Sequence, residues 1–362
     1  MSPLTLALFL GGLALMLVGA ELLVRGASRL AGAFGISPLV IGLTVVAWGT
    51  GSPELAVGLE AALAGSPALT IGNVVGSNIA NILLILGVAA LLVPLTVAQR
   101  LLRLHIPLMI GVSVLTLLVS LDGRISTFEG LIFVSLLVGY TAWTIHESRR
   151  TRRAAIEKQA RELGEEAGPG APGWRFLVAY GVMIALGLVM LIKGSDWLVE
   201  GASALARAFG LSELVIGLTV VAIGTSLPEL ATSAIAGARG ERDIAVGNAI
   251  GSNIFNLLAV LGITAIAAPG GIEVEPAALR LDIPIMIVVA TACLPVFFAG
   301  YIIDRWNGAL FLALYAVYLA YLVLESTQHW ALSGFTAVML MFVLPLAAFT
   351  MLLLAYQSWH KR

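Results

Sequence analysis

The chain has one cysteine, Cys293, set in an apolar run. A single thiol excludes an internal disulfide and a cysteine cluster for zinc. Charge is scarce as well: 11% of residues are Asp, Glu, Lys or Arg, against about 25% in an ordinary soluble domain. The formal net charge of −1 argues against nucleic acid as a partner. Only four histidines occur, and His146, His329 and His360 stand at the ends of apolar runs, without the clustering of a metal site. Apolar residues are what the chain has in excess. They make up 59% of its 362 residues, with a mean hydropathy of +1.01. No soluble core hides that much apolar surface, so a lipid bilayer is the expected solvent.

A membrane-spanning helix needs roughly 20 apolar residues. By that measure the candidate spans fall at about 4–24, 37–63, 69–93, 104–121 and 128–146. After a charged stretch at 147–175 come 176–198, 212–237, 244–268, 281–299, 306–324 and 331–356. The first run lacks the basic start and small-residue cleavage pattern of a signal peptide, so it is expected to be retained. The charged stretch opens as a short solvated helix and ends in a flexible Gly/Pro joint at 168–173. Lys and Arg sort by side. With the N-terminus outside, only Arg124, Lys193, Arg207 and Arg280, out of 20 basic residues, fall on the outer face. The rest, with the linker, are expected to be cytoplasmic. Trp143, Trp174, Trp330 and Trp359 lie near span ends, as in an aromatic belt.

The second half repeats the first at a spacing of 175 residues. GAELLVRGASRLAGAFGISPLVIGLTVVAWGTGSPELA, from Gly19, matches GSDWLVEGASALARAFGLSELVIGLTVVAIGTSLPELA, from Gly194. IGNVVGSNIANILLILG, from Ile71, matches VGNAIGSNIFNLLAVLG, from Val246. LRLHIP from Leu102 matches LRLDIP from Leu279, with the spacing now 177. Each copy holds five spans, and five is odd, so the copies are expected to enter the membrane in opposite senses. The expected units are a first repeat at 1–146, the linker at 147–175, a second repeat at 176–325 and an additional C-terminal span at 326–362. Transporters with inverted repeats bind substrate near the midplane, where the repeats meet.

Two constellations carry the chemistry. Gly49-Thr50-Gly51-Ser52-Pro53-Glu54 is matched by Gly224-Thr225-Ser226-Leu227-Pro228-Glu229. Glycine and proline in mid-span break a helix, which lipid tolerates only where the backbone is buried in protein or lines a cavity. Freed carbonyls, hydroxyls and a carboxylate are the oxygen ligands that calcium prefers. A charged side chain at the bilayer centre costs at least about 2.5 kcal/mol, yet it occurs here twice, at equivalent positions. The second constellation is Gly72-Asn73, Gly76-Ser77-Asn78 and Asn81, matched by Gly247-Asn248, Gly251-Ser252-Asn253 and Asn256. Ser77 shares a helix face with Asn81, and Ser252 with Asn256, offering neutral oxygens beside the glutamates. Asn73 and Asn78 lie on other faces, where a ligand role and hydrogen bonding between helices stand level. Two ionised glutamates give −2, which one calcium, two sodium ions or two protons neutralise.

These residues resemble the alpha repeats of the calcium/cation antiporter superfamily, the sodium/calcium exchangers and their prokaryotic relatives. The resemblance spans roughly 1–325. It implies an all-α integral membrane protein of two inverted five-helix repeats with discontinuous helices 2 and 7. The additional C-terminal helix makes about eleven spans. It implies a secondary antiporter, not an enzyme, that exchanges calcium for sodium by alternating access and needs no cofactor. A proton/calcium antiporter of the same fold is the alternative. Glu54, Glu229, Thr50 and Thr225 are implied ligands of both ions. Ser77, Ser252 and Ser226 look like sodium ligands, with the carbonyls of Ala47 and Ala222. Asn81 and Asn256 look like central polar contacts. Two positions depart from the pattern. Gly51 stands where the family has serine; if this has weakened a sodium site, Gly51→Ser is expected to raise sodium affinity. Asn81 and Asn256 are both asparagine, where sodium-driven members carry one aspartate. Glu21 and Asp196, and likewise His105 and Asp282, are equivalent pairs and look like interface charges. Ser52 is no hydrolase nucleophile: Thr-Gly-Ser-Pro is not a G-x-S-x-G elbow, and no histidine lies mid-span to activate it.

Overall fold

In lipid a chain satisfies its backbone hydrogen bonds internally, so each apolar run of spanning length becomes a helix. The computed structural model describes residues 3–64, 67–163, 173–208, 222–298, 300–327, 329 and 331–334. The first half holds α1 (Pro3–Phe34), α2 (Pro38–Thr50), α3 (Ser52–Leu63), α4 (Leu69–Leu92), α5 (Leu101–Val119) and α6 (Thr127–Leu163). The second holds α7 (Trp174–Ala208), α8 (Leu227–Ala238), α9 (Arg242–Ala267), α10 (Ala278–Phe297) and α11 (Arg305–Ser326). Eight of these are long and apolar enough to cross a membrane, or nine with α2 and α3 taken as one bent span. The run at 212–237 is described only from Ala222, and that at 331–356 only over 331–334. The sequence-based expectation of a separate linker helix is corrected. α6 runs unbroken from the fifth apolar run through the charged stretch to Leu163. Nothing in ESRRTRRAAIEKQAREL, from Glu147, stops a helix, because it lacks Gly and Pro.

α4 and α9 form the centre: 78% and 89% of their apolar stretches are buried, against 39% or less for the other six unbroken spans. The outer helices turn large apolar side chains outward, among them Leu10 and Leu17 on α1, Leu131 and Val138 on α6, and Val182 and Val189 on α7. A surface of this kind suits lipid.

The two halves touch through reciprocal contacts. α1 and α7 pack antiparallel through glycines. A methyl on Gly12 would lie 2.7 Å from the Gly194 carbonyl oxygen, and one on Gly19 2.8 Å from that of Gly187. Gly12 is equivalent to Gly187 and Gly19 to Gly194, so the contact maps onto itself. Small residues let backbones approach this closely. The central helices show the same relation. α4 crosses α11 at Gly87 and Gly308, and α9 crosses α6 at Gly262 and Gly130. Between spans lie four two-residue strands, an addition to the all-α expectation. β1 (Leu95–Thr96) pairs antiparallel with β4 (Ile302–Ile303), and β2 (Arg124–Ile125) with β3 (Ile272–Glu273). Exchanging equivalent residues turns one ladder into the other.

Polar groups at the periphery differ between halves. Glu21 pairs with Arg25 on its own helix and with Arg239 after α8, and Ser28 donates to Glu241 at 2.6 Å. The equivalent Asp196 pairs within its own helix, with Lys193 at 3.2 Å. His105 is corrected from an interface charge to a buried residue. It is 1% exposed, and its Nδ1 lies 3.0 Å from the Tyr140 hydroxyl. A π-helical turn at Leu101–His105 rotates it between α5 and α6.

Candidate cation site

The site begins with two helix starts. Pro53 and Pro228 have no N–H, so the carbonyls of Gly49 and Gly224 lose their next-turn partners. Proline is well suited to the first turn of a new helix. Between α2 and α3 the axis bends by 43°. The break is a bend rather than an unwound stretch: Gly51 N still donates to Ala47 O at 3.0 Å and Leu55 N to Gly51 O at 3.2 Å. In the second half, Ala222–Gly224 forms a helical turn, Thr225 and Ser226 turn the chain, and α8 begins. Gly224 O takes a hydrogen bond from Ser195 Oγ at 2.7 Å. Ala20 is the residue equivalent to Ser195, and it has no hydroxyl to offer. Glu54 and Glu229 are each the third residue of their helices, in the first turn, where the helix dipole favours a negative charge.

Both carboxylates are 1% exposed. They face one another closely enough to repel, with Ser77 beside Glu54 and Thr50 beside Glu229. The ion pairs among the described residues lie elsewhere in the molecule. Around the carboxylates, Thr50, Ser77, Asn81, Ser226, Ser252 and Asn256 are all buried, and Thr225 is half-buried. Ala47 opens the last turn of α2, and Ala222 the turn before Thr225. The structure therefore gathers every candidate residue named from the sequence around the two breaks and the two central helices.

The arrangement leaves oxygens free. Glu54 Oε2, Glu229 Oε2, Asn81 Oδ1, Asn256 Oδ1 and Ser252 Oγ are buried and have no hydrogen-bond partner. Buried polar atoms are nearly always paired, so a cluster of orphans needs an explanation. These atoms offer lone pairs and belong to the residue types that bind hard cations. Asn81 shows how one is held: its Nδ2 donates to Asn253 Oδ1 at 2.9 Å, which fixes the amide and leaves Oδ1 unused. Asn81 and Asn256 also each begin a π-helical turn, a feature frequent at functional sites.

Asn73 and Asn248 make hydrogen bonds between helices. Asn73 Nδ2 donates to the Glu54 carbonyl at 3.2 Å, and Asn248 Nδ2 to the Glu229 carbonyl at 3.3 Å. Each accepts at Oδ1 from the threonine of the other half: Thr225 to Asn73 at 3.5 Å, Thr50 to Asn248 at 3.2 Å. The two asparagines thus stitch each glutamate's backbone to the opposite break. Asn78 and Asn253 turn instead to sulfur, of Met286 and Met109 respectively, both at 3.4 Å. Thr232, one turn after Glu229, has a buried, unpartnered hydroxyl that the sequence reading passed over. Its spacing of three from a key carboxylate was the available signal.

The halves differ at one corner. Ser226 Oγ donates to Ser77 Oγ at 3.3 Å. The equivalent positions hold Gly51 and Ser252. A methyl at Gly51 would lie 2.8 Å from Phe255 Cδ1 and 3.0 Å from Ala47 O. A serine side chain at Gly51 therefore fits only if the Phe255 ring shifts, which bears on the expected gain in sodium affinity from Gly51→Ser.

The profile of the sodium/calcium exchanger protein family matches residues 4–146 and 179–324. "Inner membrane protein YrbG" of Escherichia coli (strain K12) is 44% identical over 286 residues, 78% of this chain and 86% of that one. "Putative antiporter CaxA" of Alkalimonas amylolytica is 40% identical over 266 residues, 74% of this chain and 82% of that one. Among solved structures, the sodium-calcium exchanger NCX_Mj aligns with a TM-score of 0.75 and 30% identity, over 88% of this chain and 99% of that one.

Proposed function

The chain belongs to the sodium/calcium exchanger family of membrane antiporters, and from that premise we propose that it exchanges calcium for sodium by alternating access at Glu54 and Glu229. The observation that carries this reading is the pair of buried carboxylates, each at a helix start and each with an unpartnered oxygen, ringed by neutral oxygens. Calcium takes six to eight oxygen ligands. Two carboxylates, the amide oxygens of Asn81 and Asn256, and the groups of Thr50 and Thr225 supply that number. Of the hydroxyls implied as sodium ligands, Ser77 and Ser226 form one corner and Ser252 stands at the equivalent one, with the carbonyls of Ala47 and Ala222 beside the breaks. Because every ligand but the glutamates is neutral, one calcium or two sodium ions leave the same net charge. A site that is neutral in either loaded state can move through a low-dielectric interior, whereas the empty, doubly charged site cannot do so easily. That difference obliges exchange.

The architecture is read as two inverted five-span repeats about an axis in the membrane plane. The self-reciprocal glycine crossings and strand pairs support it. With the N-terminus outside and the linker in the cytoplasm, the protein would sit in a bacterial or archaeal cell membrane. Access is read as coming from the outer side. The Thr225–Asn73 pair, on that side, is half-buried, whereas the equivalent Thr50–Asn248 pair is fully buried.

Radioactive calcium uptake into proteoliposomes tests the reading. A sodium gradient at constant pH is expected to drive calcium, and a pH gradient without sodium is expected not to. The reverse pattern would make protons the driving ion. The stitching asparagines give a second expectation. Asn248→Ala leaves a glutamate carbonyl and the Ser233 hydroxyl without their donor. Its half-saturating calcium concentration is expected to rise about 10-fold, as for the loss of a buried hydrogen bond worth about 1–2 kcal/mol. An unchanged calcium dependence would show that these bonds do not position Glu229.

A further inference from the structure

The corner at Gly51 differs from its equivalent in three linked residues. Trp48, Gly51 and Phe255 stand where the other half has Ile223, Ser226 and Ala80. Phe255 is 6% exposed, and Trp48 packs on it with ring centroids 5.7 Å apart and planes inclined at 41°. Its Cδ1 is the atom nearest the position a methyl on Gly51 would take, at 2.8 Å, followed by the Ala47 carbonyl oxygen and Phe255 Cε1 at 3.0 Å. A ring edge carries the positive end of the aromatic quadrupole and so repels a cation. The ring also crowds the position that a side chain on Gly51 would take. Ser252 Oγ, fully buried, is left with neither a hydrogen-bond partner nor an opposing hydroxyl. At the equivalent corner Ser77 and Ser226 face each other beside Glu54.

We propose that the Gly51–Phe255 contact removes one of two equivalent monovalent-ion subsites, so that two sodium ions exchange for one calcium without net charge movement. The inference rests on the sodium/calcium reading above. One sodium ion takes the intact corner of Glu54, Ser77 and Ser226. A second lies between the two carboxylates and the free oxygens of Asn81 and Asn256. The corner of Glu229 and Ser252 holds none. Two positive charges then meet the −2 of the glutamates. A third sodium ion would leave the site at +1 with no further anionic side chain in the ligand set to offset it.

The test clamps the membrane potential of calcium-transporting proteoliposomes with a potassium gradient and valinomycin. It reads the calcium gradient sustained by a fixed sodium gradient. With one net charge moved per cycle, that gradient changes about 50-fold per 100 mV. The wild-type protein is expected to show no change. The double variant Gly51→Ser/Phe255→Ala copies the intact corner. It is expected to become potential-sensitive, with a steeper dependence of flux on sodium. Gly51→Ser alone, which meets the ring, is expected to lose flux without that steepening. A wild-type gradient that follows the potential overturns the inference and leaves sodium/calcium exchange standing. A double variant that transports but stays insensitive to potential overturns the assignment to this contact. Absence of any sodium-driven calcium movement in the wild type overturns the exchange reading and this inference with it. The wild-type measurement decides the stoichiometry even if the double variant fails to fold.

Discussion

Glu54→Gln and Glu229→Gln are each expected to lower calcium flux by at least about 100-fold in reconstituted vesicles. Glutamine has the size of glutamate, keeps one oxygen and leaves the proline-started helix intact. Only the charge is lost. Removing one partner of a buried charge interaction costs about 3–5 kcal/mol, which is at least about 100-fold in affinity. Two further features make the loss large. Both carboxylates are 1% exposed, so water does not screen the change. No neighbouring acid among the ligands stands in for either one, since the remaining side chains are amides and hydroxyls. The two variants are expected to fail alike, because equivalent residues surround each glutamate. Chromatographic homogeneity of the purified variants separates lost function from lost fold. Near-normal flux in both would remove the glutamates from the mechanism.

The glutamates and the breaks they follow were legible in the sequence because they violate a rule. A charge and a Gly/Pro pair in mid-span are tolerated only for a reason, and the repeat showed each violation twice. Ser77 with Asn81, and Ser252 with Asn256, were legible by helix periodicity alone. What periodicity cannot supply is the neighbour. It placed Asn73 on another face of its helix without showing that this face meets the Glu54 carbonyl and Thr225. Ala80 and Phe255 are one of several differences between the matched motifs, and the sequence does not mark that one out. Its importance lies in the ring standing against Gly51, 204 positions away in the chain. His105 failed for a related reason: a histidine beside Arg103 looks solvated, but the π-helical turn points it at Tyr140. The length of α6 was missed because the charged linker was judged by composition, and composition does not stop a helix.

Two glycine-to-alanine substitutions of the same chemistry are expected to act in opposite directions. α2 and α9 cross through Gly42, Gly247 and Gly251. A methyl on Gly251 would lie 2.7 Å from Leu43 Cα, 2.8 Å from Leu43 O and 2.9 Å from Ala47 Cβ. Two of those three atoms are backbone, so no rotamer change makes room, and the helices must separate by some tenths of an ångström at least. Overpacking of this kind costs about 1–3 kcal/mol, occasionally more. Gly251→Ala is therefore expected to lower the thermal midpoint of the purified protein. The damage reaches function because Ser252 is the next residue, and because Ala47 and Thr50 lie on the helix being pushed. Calcium flux is expected to fall with stability, the Thr50–Asn248 bond being the first contact to stretch. Gly139 is the control. It lies within α6, is exposed, and has no atom within 4 Å of the position a methyl would take. There alanine only restricts the backbone, which favours a helix by about 0.5–1 kcal/mol, so Gly139→Ala is expected to hold or raise the midpoint and leave flux unchanged. Equal behaviour of the two variants would show that close approach of α2 and α9 is not what holds Ser252 against the broken helix.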